Sequence, residues 1–380
     1  MLLSKGFEVE IYTSTPEGDI VGLSDRIVRD LDGFVREPDS RNVEYTTAPF
    51  CNYDRLLCAL LKPRRQLRQY LKQLGNYTLI PGSTLSTGGS DRFERSDLDN
   101  PYHTYIEQTY GTKVVTASIH INVGISDHEQ LIRACRLVRV EAPLYLALSA
   151  SSPFLDGKAT GYHSTRWSVF PQTPIDVPLF ESHAHFIRWT EQQIALGTMQ
   201  NVRHLWSSVR PNGNNRPYNL NRLELRICDL VTNPITLLAI SALLEARLTQ
   251  LLANQKLDPL VLSDLSPKEM ITLTQENERS VAKNSLDAEL KHWKDGRPIL
   301  ARDWITELYE EVFQTAKEKG FSCFLSPVKK ILREGNSAQQ WLQDYEQGLD
   351  VRSIMQKAIQ TIDHEELDLE HKLCEPLLVA

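Results

Sequence analysis

Glu8 and Glu10 stand two residues apart in KGFEVEIYTS, residues 5–14, where they alternate with Phe7, Val9 and Ile11. Side chains of a β-strand alternate between its two faces, so both carboxylates share one face and the apolar row takes the other. The pattern recurs in three further stretches. Glu44 alternates with Val43 and Tyr45; Ser118, His120 and Asn122 alternate with Ile119, Ile121 and Val123; Arg222, Glu224 and Arg226 alternate with Leu223, Leu225 and Ile227. Any one of these reads as the outward face of an ordinary half-exposed sheet. If the strands share a sheet, however, the carboxylates crowd, and a like-charged pair about 4 Å apart costs on the order of 4 kcal/mol at an effective dielectric of roughly 20. Cations or bound protons must relieve that repulsion. Hard divalent cations suit the donor set, because Mg²⁺ takes carboxylate oxygens, shares them with phosphates and water, and accepts a lone imidazole. Zinc is disfavoured by the absence of a Cys/His set and of H-E-x-x-H. Arg226, on the same face as Glu224, puts a guanidinium beside the metal, a pairing that suits a phosphoryl group.

These residues require strands, and strand signals run over 6–12, 42–49, 77–80, 113–124, 166–170 and 222–230, where β-branched or alternating residues cluster. Helices are expected between them. Asn52 or Asp54 opens one that runs to Gly75; Ser126 with Glu129 forms a capping box for one running towards Leu148; Thr232-Asn233-Pro234 starts a third. Beyond residue 255, helical periodicity covers 266–284, 301–319, 337–346 and 350–372. RPNGNNRPYNLN, residues 210–221, reads as a polar loop. The expected fold class is α+β: a mostly antiparallel sheet region over 1–235 that carries the site, and a helical region over 236–380 packed on it.

Other features read as structural. His183 and His185, beside Phe186, Ile187 and Trp189, begin an amphipathic helix and do not form a metal pair. KPRRQLRQYLK, residues 62–72, is a solvated basic helix face, the Leu/Ala stripe of 235–252 is core, and Cys228 is a small buried filler. Across 380 residues the formal net charge is −7, which argues against nucleic acid as a main partner. No apolar run approaches the roughly 18–20 residues that span a bilayer, and Lys5, Glu8 and Glu10 interrupt any signal-peptide core. The six cysteines form no C-x-x-C pair. A cytoplasmic protein without membrane contact is the expectation; oligomeric state is left open. No G-x-x-x-x-G-K-[ST] loop or strand-linked G-x-G-x-x-G turn occurs, so a bound nucleotide would rest on the sheet through metal ions.

Six segments, in order, resemble the glutamate–cysteine ligase family, whose fold is similar to the catalytic domain of glutamine synthetase: GFEVEI at 6–11, VEYTTAP at 43–49, SIHINVGI at 118–125, ALSASSPF at 147–154, RWSVFP at 166–171 and RLELRICD at 222–229. The resemblance implies an ATP-dependent ligase with two or three Mg²⁺ ions on the inner face of a curved sheet. Glu8, Glu10, Glu44, His120 and Glu224 match metal-binding positions, with Glu37 as a further candidate. Arg226 matches the arginine on the transferred phosphoryl, and Arg166 and Arg210 are candidate contacts for phosphate or substrate carboxylate. The implied substrates are ATP, L-glutamate and L-cysteine, joined through γ-glutamyl phosphate in the first step of glutathione biosynthesis. The residues alone specify only an amine acceptor, so a related carboxylate–amine ligase stays open. A non-catalytic metal- or nucleotide-binding module is a third reading, against which the intact set of site residues argues.

Overall fold

A computed structural model describes residues 2–369. Its centre is a seven-stranded sheet. The strands are β1 (Lys5–Ser14), β2 (Phe34–Arg36), β3 (Asn42–Thr46), β4 (Thr78–Ile80), β5 (Ile119–Gly124), β6 (Val209–Asn212) and β7 (Arg222–Leu225). They lie in the order β2-β3-β1-β5-β7-β6, with β4 on the far end of β1, and every pairing is antiparallel. The register sets Glu8 opposite His120, Glu10 opposite Glu44, Asn122 opposite Glu224 and Arg210 also opposite Glu224. The period-two pattern therefore holds on all of these strands. Phe7, Val9, Ile11, Val43, Tyr45, Ile119, Ile121, Val123, Leu223 and Leu225 are buried on the opposite face.

The principal helices are α1 (Tyr53–Leu74), α2 (His128–Ser149), α3 (His183–Ala195), α4 (Pro234–Ala253), α5 (Pro267–Asn284), α6 (Ala301–Glu318), α7 (Ser337–Glu346) and α8 (Val351–Leu369). The last four match the periodicity beyond residue 255, apart from positions 370–372, which lie outside the described residues, as does Cys374. Helix α2 packs against α5 and against β6 and β7, and α4 packs against α1, α2 and α6. Helix α4 opens as its sequence implies: the Asn233 side chain accepts from the Thr236 N–H, and Pro234 occupies the first turn.

The structure corrects several local expectations. Residues Thr165–Val169 form a short helix capped by Ser164, because a hydroxyl that accepts the Trp167 N–H overrides the β-branched signal. The strand expected over 113–124 is confined to Ile119–Gly124, after a 3₁₀ turn at Gly111–Val114. Asp127, not Ser126, caps α2 by accepting from Gln130 N–H at 2.8 Å. The 210–221 loop begins inside β6; as the edge strand of the sheet, β6 tolerates Pro211. The basic 62–72 face is not wholly solvated. Arg64 falls on the stripe of Leu57, Leu60, Leu61 and Leu67 and is fully buried. It donates to Tyr45 Oη at 2.8 Å and to Glu366 Oε1 at 2.8 Å, while Arg68 pairs with Asp363 and Glu366. Helix α8 is thus pinned to the strand that carries Glu44.

Helix α4 is, contrary to the sequence reading, long and apolar enough to cross a membrane; in this fold it is the core helix, mostly buried. Its two charges are neutralised inside. Glu245 accepts from Lys5 Nζ at 2.6 Å and from Tyr53 Oη at 2.6 Å, and Arg247 donates to Glu141 at 2.6 Å. The Lys5 and Glu245 side chains are both 0% exposed, and burial lowers the Lys5 pKa against the pull of the Glu245 carboxylate. Breaking such a pair strands a charge in the core at a cost of about 3–5 kcal/mol. Chemical denaturation should show a loss of that order for Lys5→Met or Glu245→Leu alone. The double variant should recover most of it, because no unpaired charge remains.

Candidate active site

The register of four neighbouring strands gathers the predicted residues into two groups of three. In the first, single ligand atoms of Glu8, His120 and Glu224 lie within 4.8 Å of one another; in the second, those of Glu10, Glu37 and Glu44 do the same. His120 Nδ1 is 2.9 Å from Glu8 Oε2 and 3.6 Å from Glu224 Oε1. The uncertain candidate, Glu37, follows directly after β2 and joins the cluster because β2 pairs with β3, placing Val35 opposite Glu44.

Glu224 is fully buried and has the densest set of partners. Arg210 grips it with Nε at 2.8 Å and Nη2 at 3.0 Å, Asn212 Nδ2 donates at 2.5 Å, and Arg226 Nη1 makes a further short contact. Burial alone would raise its pKa, but Arg210, Arg226 and His120 together hold it well below the usual carboxylate range. Burial and the Glu224 charge likewise push Glu8 upwards, and its hydrogen bond to His120, with His120 and Arg226 beside it, brings it below the ordinary value. Among the described residues no guanidinium hydrogen-bonds to the second group, although the Arg226 charge pulls Glu37 downwards and His120 Nε2 lies 3.8 Å from Glu10 Oε1. Burial, then Glu8 and Glu10, push Glu44 up to about 8, and burial with Glu10 and Glu44 holds Glu37 well above the ordinary range.

This donor set fits hard divalent cations: carboxylate oxygens dominate, one imidazole is present and no thiolate is among them. Arg226 Nη1 lies 3.4 Å from His120 Nδ1, so a guanidinium does sit beside the first group. Arg210 and Arg166 are placed otherwise than free ligand contacts would be. Arg210 is spent on Glu224 and on the carbonyls of Arg203 and Leu205. Arg166, buried, donates to the carbonyls of Arg226 and Ile227 at 3.1 Å each, which leaves only its buried Nε without a partner. Cys228 is buried, and desolvation pushes its thiol up to about 12, so it is a filler and not a thiolate. His183 and His185 open α3 behind the Ser182 cap, and His183 Nε2 is 2.8 Å from the carbonyl of Pro217.

Four contributors escaped the sequence reading. Ser118 and Asn122 share the His120 face but carry no charge to attract attention; Ser118 Oγ donates to Glu10 Oε2 at 2.7 Å and Asn122 Nδ2 to Glu8 Oε1 at 3.1 Å. Asn212 ends β6, in a stretch whose Pro, Gly and Asn content reads as loop. Arg216, in the turn held by His183, has a buried Nη1 with no hydrogen-bond partner, and burial followed by the nearby Arg210 lowers its pKa to about 10. Two buried guanidinium nitrogens thus lack acceptors around an acidic cluster, as expected of a site that receives an anion together with its cations. Beside Glu8 a cleft of about 390 Å³ opens, lined by Gly6, Thr47, Asn122, Gly124 and Arg222 among others.

The unequal charge balance has a measurable consequence. A cation entering beside Glu44 must displace a proton whenever the pH is below about 8, so Mn²⁺ affinity should rise with pH up to that point. Calorimetry in buffers of different ionisation enthalpy should register the released proton. Without cations the same carboxyl, with its folded pKa raised, destabilises the protein increasingly as pH climbs from the unfolded value towards about 8. Glu44→Gln should accordingly melt above wild type at pH 8, with the difference vanishing near pH 4.

Comparison with known proteins bears out the family resemblance read from the sequence. The profile of glutamate-cysteine ligase family 2 (GCS2) matches residues 4–374. A protein of Sorangium cellulosum provisionally named glutamate–cysteine ligase 2 is 34% identical over 230 residues, 60% of this chain and 58% of that one. A Rubrobacter xylanophilus protein with the provisional name glutamate–cysteine ligase 2-3 is 27% identical over 305 residues, 78% of this chain and 77% of its own. Among solved structures, the glutamate–cysteine ligase of Francisella tularensis in complex with AMP superposes with a TM-score of 0.75 at 14% identity, covering 96% of this chain and 89% of that one. The bifunctional glutathione synthetase of Pasteurella multocida gives 0.74 at 14% identity, with 98% of this chain matched to 53% of that one. The α+β fold expected from the sequence is the fold these two proteins share, and the chain belongs to glutamate–cysteine ligase family 2.

Proposed function

We propose that this protein is an ATP-dependent carboxylate–amine ligase that joins the γ-carboxylate of L-glutamate to the amine of L-cysteine, giving γ-glutamylcysteine. One observation carries the reading: two adjacent ligand groups, Glu8/His120/Glu224 and Glu10/Glu37/Glu44, share a sheet face with Arg226 against the first of them. The names of the relatives and the AMP bound to the Francisella tularensis enzyme support ATP and the two amino acids as substrates. Two or three Mg²⁺ ions held by the two groups would neutralise the phosphate oxygens and the incoming carboxylate.

The chain's own residues then have defined tasks. Arg226, fixed by Glu224, presents positive charge to the oxygens of the phosphoryl group as it passes from ATP to the γ-carboxylate, giving γ-glutamyl phosphate and ADP. The neutral cysteine amine attacks the acyl carbon, phosphate departs, and the ammonium proton is lost. No side chain need form a covalent intermediate, which fits the inert Cys228. The partnerless nitrogens of Arg166 and Arg216 are the groups we assign to anionic substrate oxygens. ATP and reduced cysteine as substrates place the enzyme in the cytoplasm, as the start of glutathione synthesis.

Arg226→Lys keeps the charge and loses the planar fork. It should cut kcat roughly 10²-fold with a smaller change in the KM for ATP, measured by ADP release. A rise in KM alone would show a role in ATP binding instead. The acceptor is tested with ATP, Mg²⁺ and glutamate fixed while the amine varies. Cysteine should give the highest kcat/KM and 2-aminobutyrate the next, since nitrogen attacks and about one methylene-sized contact is worth only about 1–3 kcal/mol. Fastest turnover with ammonia or a bulky amine would replace cysteine by another acceptor on the same chemistry.

A further inference from the structure

Arg226 sits where the chain leaves the sheet. Strand β7 ends at Leu225, and pairing on the β5 side resumes only with the Ile119 N–H, which donates to the Cys228 carbonyl at 3.4 Å, and a bridge between Asp229 and Ser118. The carbonyls of Arg226 and Ile227 are taken up instead by the buried Arg166 guanidinium, whose Nη2 and Nη1 donate to them at 3.1 Å each. On the other side the Arg226 N–H donates to the Ser208 carbonyl at 2.8 Å. A buried carbonyl needs a donor, so the path of the main chain at Arg226 depends on where Arg166 is held.

Asp229 holds it. The carboxylate is buried and accepts from Ser164 Oγ at 2.9 Å on Oδ1, and from Ser152 Oγ at 2.7 Å and the Ser151 N–H at 3.0 Å on Oδ2. Each hydroxyl gives its one proton to Asp229 and keeps its lone pairs for a second partner. Ser152 Oγ accepts the Arg166 N–H and Ser164 Oγ accepts the Trp167 N–H, both at 3.2 Å. One carboxylate thus fixes two hydroxyls, and the hydroxyls fix the turn from which Arg166 reaches the two carbonyls. Asp229 Oδ1 also lies 3.9 Å from Arg166 Nη1, an opposite charge for a buried guanidinium. Burial raises the Asp229 pKa, and Arg166 with the three donors pulls it the other way.

We propose that Asp229 is a positioning residue that, through Ser152, Ser164 and Arg166, holds the main chain of Arg226 where its guanidinium meets the transferred phosphoryl. The inference rests on the phosphoryl role of Arg226 given above and not on which amine is ligated.

The test uses full-length Asp229→Asn and the milder double variant Ser152→Ala/Ser164→Ala, each made with and without Arg226→Gln. A displacement of about 1 Å at a reacting group can cost about 10²-fold in rate. ADP release should therefore show kcat lowered roughly 10²-fold by Asp229→Asn and about tenfold by the serine changes, with smaller changes in the KM for ATP. In the Arg226→Gln background the same changes should lower kcat no more than about threefold, because the group they position is already gone. Losses that multiply in full in that background, or folded variants with wild-type kcat, would overturn the role of Asp229 and leave the ligase reading standing. If Asp229→Asn fails to fold, the serine variant decides by the same criteria. A second readout does not need turnover. The side-chain ¹⁵N signal of Arg226, assigned by its loss in Arg226→Gln, should be sharp in wild type and broaden in the serine variant. An unchanged signal would overturn the positioning role. Absence of ADP release from wild type with every amine would overturn the ligase reading, and the Arg226 signal would still report whether Asp229 holds that side chain.

Discussion

The buried carboxylate of Glu224 is the interaction on which the site depends. An ionised group removed from water is tolerated only if its lone pairs are taken up, and here Arg210, Asn212, Arg226 and His120 surround it. Each partner comes from a different part of the pattern: Arg210 and Asn212 from β6, Arg226 from beyond the end of β7, His120 from β5. Satisfying one carboxylate therefore fixes three strands relative to one another. It also holds the Arg226 guanidinium beside His120.

The second constraint is the absence of such partners around Glu37 and Glu44. These two share a face with Glu8 and Glu10, and among the described residues no guanidinium hydrogen-bonds to either, so burial and mutual repulsion push their pKa values upwards. A fold gains nothing in stability from this arrangement. It persists because the apolar faces of β1, β3, β5 and β7 are buried with the core helices, and a one-residue slip that relieved the carboxylates would expose Val9, Tyr45 and Ile121. Hydrophobic burial holds the repelling groups together, and under the proposed reading bound cations would relieve their repulsion. The buried ion pairs Lys5–Glu245 and Arg64–Glu366 tie residues on either side of position 235, joining the sheet to α4 and α8.

Much of the site was legible because strand periodicity is strictly local. Glu8 with Glu10, and Glu224 with Arg226, share a face whatever their neighbours do, and six motifs in order then pointed to the family. The residues that escaped notice did so for identifiable reasons. Ser118 and Asn122 are ordinary polar strand residues until pairing places them against Glu10 and Glu8. Asn212 sits in a segment whose Pro, Gly and Asn content resembles loop, and only membership of an edge strand makes it compatible with a sheet. Arg64 shows the converse error: in a run of basic residues its charge outweighed its position on the apolar stripe of α1.

The sequence by itself determined the faces. Alternation put carboxylates and imidazole on one side of each strand, i+3 and i+4 spacing gave the helices beyond residue 255, and capping residues such as Asn233 set where α4 begins. The tertiary structure alone decided the company each group keeps. Strand order and register are set by contacts distant in sequence, so only the folded chain could bring Glu37 from the end of β2 to Glu44, and divide the six ligands into a group balanced by arginines and one that is not. It also decided that Arg166 and Arg210 spend most of their donors on the protein itself. Hydrogen-bond partners follow from three-dimensional distance, and no local pattern encodes that distance.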